Sequence, residues 1–145
     1  MSIVFVVTAL ALALGQGQAP FTGMWTAEFG GHTFVRLQLA TRDGSTHGAL
    51  GIGDIHVDSE GAVDRAQEVP EKLVAISNAV AKDSTLSFSC QDGDDVDRFQ
   101  LEIVDADHAD LRFLLSDQDR AELAANGVPV PKPIRLTRMR NVPPR

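Results

Sequence analysis

Asp54, His56 and Asp58 are spaced for chemistry. At i, i+2 and i+4 they project from one face of a regular strand. A carboxylate–imidazole–carboxylate row can position a general base or offer three metal ligands. On that reading Asp54 and His56 are the candidate catalytic pair of a hydrolase or isomerase. Leu50 and Ile52 precede them on the same face, so the plainer reading is a strand that leaves the core for solvent. Gly48, Gly51 and Gly53 lie in the same stretch. Glycines inside a strand mark a bulge, a bend or the close approach of another backbone, or leave bare backbone for a ligand.

Asp92, Asp94, Asp95 and Asp97 form the densest acidic cluster. A helix–loop–helix calcium site starting at Asp92 needs glycine at its sixth position and glutamate at its twelfth, where Asp97 and Ile103 stand. The cluster therefore reads as a solvated hairpin tip, and no metal site is expected. His32, His47 and His108 are isolated, each beside a turn. Cys90 ends the segment LSFSC on a face shared with Leu86 and Phe88, the position of a buried structural thiol rather than a nucleophile. No Gly-x-Ser-x-Gly, His-Glu-x-x-His, phosphate-binding loop or dinucleotide fingerprint occurs, and no cofactor is expected. The reading leans away from catalysis.

Composition narrows the partners. Thirteen Lys and Arg against twenty Asp and Glu leave a formal charge of −7. That argues against nucleic acid, whose binding runs on counterion release by basic side chains, and against an anionic membrane surface. A single cysteine excludes an intramolecular disulfide framework. The length of 145 residues fits one domain.

The first residues stand apart. Ile3 to Leu14 form an apolar run broken only by Thr8; Gly15, Gly17 and Ala19 follow, and no charge appears before Glu28. Such a run suits the apolar region of a signal peptide and falls short of the ~20 residues that span a bilayer. A cut after Ala19 places Pro20 next, so the boundary is open by several positions. The expected organisation is a leader over 1–19, one domain over 20–140 and a disordered tail over 141–145, in a periplasmic or secreted protein with no membrane span. A buried N-terminal strand is the alternative for the leader.

The elements that must carry these residues are mostly strands. Val35, Leu37 and Leu39 alternate with Arg36, Gln38 and Ala40; Leu86, Phe88 and Cys90 alternate with Thr85, Ser87 and Ser89. Phe99, Leu101 and Ile103, then Ala109, Leu111 and Phe113, repeat the pattern. Strands wet on one face and buried on the other indicate antiparallel pairing. Thr46–Val57 reads as one further strand. Short links rich in Gly and Asp join them. The fold class is mostly β: an antiparallel up-and-down meander closing into a small barrel, since closure removes exposed edges. One helix, Ser116–Asn126, precedes the last strand, Ile134–Arg140. Val128–Pro133 carries proline at every second position and reads as an extended approach with an unpaired edge. Pro70–Ala81 fits a helical stripe of Leu73, Ile76 and Val80, or an irregular strand; 62–83 stays open.

The segment Phe21-Thr22-Gly23-Met24-Trp25 contains the Gly-x-Trp of the first barrel strand in lipocalins and related calycins. With the meander, helix and arginine-bearing last strand, the chain resembles that superfamily in the order of its elements. The resemblance implies that an arginine of the last strand packs across Trp25 and closes the base. Arg135, Arg138 and Arg140 are available; Arg138 shares a face with Ile134 and Leu136 and is preferred. Trp25 and Arg138 are then structural. Three functions follow. The first is noncatalytic binding of a small apolar ligand inside the barrel, lined by Leu37, Leu39, Phe88, Phe99, Leu101 and Phe113. The second is an exported accessory module with a packed barrel and a protein partner. The third is the hydrolase or isomerase using Asp54 and His56.

Overall fold

Among the described residues, alternation and turn chemistry together produce ten strands and one α-helix. The computed structural model describes residues 19–139. The expected leader, apart from Ala19, and the expected tail lie outside the described residues. After a 3-10 turn at Ala19–Phe21 come β1 (Gly23–Phe29), β2 (His32–Arg42) and β3 (Ser45–Ile52). Then follow β4 (Ile55–Val57), β5 (Val63–Ala66), β6 (Val74–Lys82), β7 (Thr85–Asp92), β8 (Asp95–Ile103) and β9 (His108–Leu114). Helix α1 (Asp117–Ala125) precedes β10 (Ile134–Met139). Eight strands close into an antiparallel barrel in the order β1-β10-β9-β8-β7-β6-β3-β2, and β4 and β5 form a separate two-stranded ribbon. No helix among the described residues is long and apolar enough to cross a membrane.

Register places the apolar face of every barrel strand inward. Trp25 stands opposite Leu37, and Leu37 opposite Leu50. Leu86 stands opposite Leu101, and Leu101 opposite Leu111. Trp25, Val35, Leu37, Leu86, Leu101, Leu111 and Leu136 are fully buried. The interior is thus filled along much of its length, which is the main apolar stabilisation of the domain. The β2–β3 turn shows how local chemistry permits closure. Asp43 and Gly44 both have positive φ, 53° and 78°, the conformation that Asp-Gly tolerates in two-residue hairpins.

Three stretches differ from the alternating pattern. Thr46–Val57 is two strands: the chain bends at Gly53, whose N–H donates to the Phe34 carbonyl at 2.8 Å. A Cβ on Gly53 would fall 2.1 Å from the Gln67 carbonyl oxygen, so only glycine admits that backbone. In β2, Ala27 pairs with Val35 and Glu28 with Thr33. Phe34 is the extra residue of a bulge and is buried beside Val35. Pro70–Ala81 contributes β6, a strand with its own bulge. Ser77 pairs with Ser89 and Val80 with Ser87, leaving Asn78 and Ala79 opposite Phe88 alone. Asn78 takes φ 54°. The bulge shifts the alternation by one, so Ile76, Ala79 and Ala81 are half-buried while Val80 is 63% exposed. The expected stripe is therefore not one face: Leu73 precedes β6, and Val80 faces away from Ile76.

Helix α1 rests on its caps. The Ser116 hydroxyl accepts from the Asp119 N–H at 3.0 Å, and the Asp119 carboxylate accepts from the Ser116 N–H at 3.2 Å. No α1 residue is buried. The proline-bearing segment that follows has no regular structure and lies outside the sheet. Its Lys132 N–H donates to the Gly61 carbonyl at 2.9 Å and ties it to the β4–β5 turn.

Candidate functional site

One end of the barrel is a sealed base. It gathers the turns at Asp43-Gly44 and Asp83-Ser84, the link Val104–Asp107 and the start of β1. Trp25 is fully buried and its indole N–H donates to the Phe21 carbonyl at 3.0 Å. The Arg138 guanidinium lies 4.2 Å from the centre of the Trp25 ring, near enough for a cation–π contact. Its Nε donates to the Ala106 carbonyl at 2.9 Å, and its two terminal nitrogens donate to the carbonyls of Thr22 and Pro20. Gly23 has φ 136°, and a Cβ there would stand 3.0 Å from Arg138 Nη1, so the glycine of Gly-x-Trp makes room for the arginine. Arg135 points elsewhere, to Asp110 at 2.6 Å, whose carboxylate raises its pKa. Arg140 lies outside the described residues.

The six residues nominated as a ligand lining are distributed through the interior. Leu37 and Leu101 are fully buried, Phe88 and Leu39 nearly so. Phe88 and Phe99 stack with centroids 5.6 Å apart, and Phe99 meets Phe113 at 5.5 Å in a tilted pair. These adjacent rings on β7, β8 and β9 form an aromatic layer. Phe99 reaches a cavity of about 180 Å³ beyond that layer, at the end opposite the base. Phe113 borders a separate cleft beside Val96 and Ser116.

The Phe99 cavity is where interior side chains reach solvent. Leu50 and Ile52 of β3, Val74 of β6 and Cys90 of β7 supply apolar walls. Pro70 and Lys72, from the link between β5 and β6, close one side, and Asp92 and Asp97 rim the other. Burial, then the charge of Asp97, pushes the Cys90 thiol up to about 11. A thiol so shifted is protonated at neutral pH and behaves as an apolar wall rather than a nucleophile. Asp97 is shifted upward as well, first by burial and then by Asp95, Asp119 and Asp92. The site combines an apolar floor with a carboxylate rim and holds no nucleophile–base pair.

Reasoning from sequence missed Leu50, Ile52 and Val74 as cavity walls, and the Pro70–Lys72 side entirely. The available signal was Gly51. Its bare backbone is covered by this chain's own side chains: a Cβ on Gly51 would fall 2.4 Å from Leu73 Cδ2 and 2.8 Å from Val69 Cγ2.

Asp54, His56 and Asp58 do not converge. His56 Nδ1 lies 2.6 Å from Asp64 Oδ1 across the β4–β5 ribbon, with both side chains largely in solvent. The Asp58 carboxylate accepts the N–H groups of Glu60 at 2.8 Å and Ala62 at 3.0 Å. Those bonds lower its pKa and close the turn. Asp54 is exposed at the bend before β4. His32 and His108 also face carboxylates, Glu68 at 3.3 Å and Asp105 at 2.9 Å. Among the described residues no group of three or more His, Cys, Asp or Glu is placed to hold a metal.

Comparison of the chain with protein-family models, with curated proteins and with solved structures returns no match.

Proposed function

We propose that this is an exported, noncatalytic barrel of the calycin kind that binds one small, largely apolar molecule at its mouth. The observation that carries the reading is the cavity of about 180 Å³ at the end of an otherwise packed barrel, where Leu50, Val74 and Phe99 are its floor and walls. An apolar cavity of ~150 Å³ accommodates benzene, so a benzene- to indole-sized body fits this one. The Asp97 carboxylate at the rim accepts a hydrogen bond from a ligand N–H or O–H. The unconverged Asp54 and His56 and the protonated Cys90 give the site no means to turn over what it holds.

The test is ¹⁹F NMR titration with 5-fluoroindole, alongside native mass spectrometry of the protein purified from the compartment to which it is exported. The expected result is saturable, single-site binding with a Kd on the order of 0.1–1 mM, the range that ten heavy atoms support. Val74→Phe fills the cavity and abolishes it, and His56→Ala leaves it unchanged. Binding that survives Val74→Phe overturns the site.

A second reading is favoured by exposed apolar residues. Val96 and Leu114, 54% and 41% exposed, border the cleft between β8, β9 and the start of α1. They suit an accessory module that docks a protein partner against the barrel wall. Failure of every small probe at the mouth, together with partner capture abolished by Val96→Ser, selects that reading.

A further inference from the structure

The cavity has one wall that does not belong to the barrel. β3 and β6 are neighbours in the closed sheet, yet their ladder holds only Ala49↔Ala75 and Leu50↔Val74. Val74 is the first residue of β6, so Gly51 and Ile52 of β3 run on without a β6 partner, and the strap 67–73, without regular structure, lies against Gly51 instead. Pro70 and Lys72 of this strap line the cavity.

The strap is held from outside the cavity. The Gln67 N–H donates to the Asp54 carbonyl at 2.8 Å and the Val69 N–H to the Thr33 carbonyl at 2.9 Å. Val69 is 7% exposed and, with Leu73, packs on the side of Gly51 that carries no Cβ. The Glu68–His32 contact at 3.3 Å joins two side chains that are 60% and 58% exposed, and such a pair adds little. Two backbone bonds, the buried Val69 and the half-buried Leu73 therefore anchor the wall. A segment with so few buried contacts opens locally without unfolding the barrel.

We infer that Val69, seated on Gly51, is a positioning residue for the ligand site: it docks the strap, and docking of the strap and binding of the ligand are thermodynamically linked. The inference rests on the proposed binding function and deepens it. A ligand in the cavity touches Pro70 and Lys72 only while the strap is docked. It must then stabilise the docked state, and anything that loosens docking must weaken binding in proportion. Val69 has this effect without lining the cavity.

Amide hydrogen exchange and ¹⁹F titration with 5-fluoroindole, on wild type and Val69→Ala, test the linkage. In wild type, saturating probe slows exchange of the Gln67 and Val69 amides. In Val69→Ala those amides exchange about tenfold faster while Leu101 and Leu111 are unchanged, and the probe binds about three- to tenfold more weakly. Val69→Ile restores both. Gly51→Ala, which places a methyl where Val69 and Leu73 sit, loosens the strap in the same way. Unaltered affinity in Val69→Ala overturns the linkage, as does wild-type strap exchange indifferent to the probe. Faster exchange throughout the barrel also overturns it, because Val69 is then merely structural. If wild type binds no probe, it is the binding function that fails, and the strap's own opening is still read from the exchange of Gln67 and Val69.

Discussion

Arg138 and Arg135 stand on the same strand, three residues apart, and their surroundings give them unequal weight. Arg138 joins three carbonyls to the face of a buried indole. Arg135 makes one exposed ion pair with Asp110. Arg138→Ala is expected to lower unfolding free energy by about 2–3 kcal/mol, from the lost cation–π contact and orphaned carbonyls. Arg135→Ala, which removes only an exposed ion pair, is expected to cost much less. Urea denaturation measures both. Cys90 makes a pH prediction. Its thiol is raised to about 11 from 9.0, so the unfolded chain gives up this proton first. The Cys90 contribution to stability is whole below pH 9 and falls as the pH rises from about 9 toward about 11. Cys90→Ser removes that part of the alkaline decline. Alkylation of the native thiol by iodoacetamide at pH 8 is about a hundredfold slower than of an unshifted thiol. Asp97 works in the same direction in a lower pH window: its raised pKa means that the ionised form opposes folding. Asp97→Asn should raise Tm at pH 7, with a gain that shrinks as the pH falls through the carboxylate range.

At the scale of elements, α1 and β6 separate what local signals decide from what packing decides. α1 was legible because its signals are chemical and adjacent: Ser116 and Asp119 cap the start and Gly127, at φ 68°, follows the end. Since no α1 residue is buried, Ser116→Ala should weaken the helix by about 1 kcal/mol. It should speed amide exchange over 117–125 and leave the barrel's Tm unmoved. β6 stayed open between a helical stripe and the irregular strand it proves to be, for a physical reason. Its bulge at Asn78 resets the inside–outside alternation, so Ile76 and Ala79, three residues apart as on a helix, both turn inward. Asn78→Val, forcing a β-branched residue to φ 54°, is expected to cost about 1–3 kcal/mol by thermal denaturation, with Asn78→Gly near neutral. The split of β3 from β4 was half legible. Gly53 announces close approach, but the Gln67 carbonyl that approaches is fourteen positions further along the chain.

For the whole molecule, stability resides in the packed interior and the cavity lies at one end of it. Leu101→Ala, at a fully buried position between Leu86 and Leu111, should cost about 3–5 kcal/mol. Alternation and the links rich in Gly and Asp sufficed to determine an antiparallel meander, which closes because closure removes its edges. Those features act between residues close in sequence, where a period of two and a turn preference are enough. Whether that closed sheet is solid or hollow, and at which end, was decided only in three dimensions. The same inward residues can fill a barrel or line it, and the outcome depends on the volumes that eight strands bring to each layer. The base is sealed because Arg138 crosses from the last strand to the first. The mouth is walled differently because β6 begins only at Val74, opposite Leu50, leaving Pro70 and Lys72 of an irregular strap as wall. Both are contacts between distant parts of the chain, and they exist only once the tertiary fold sets those parts side by side.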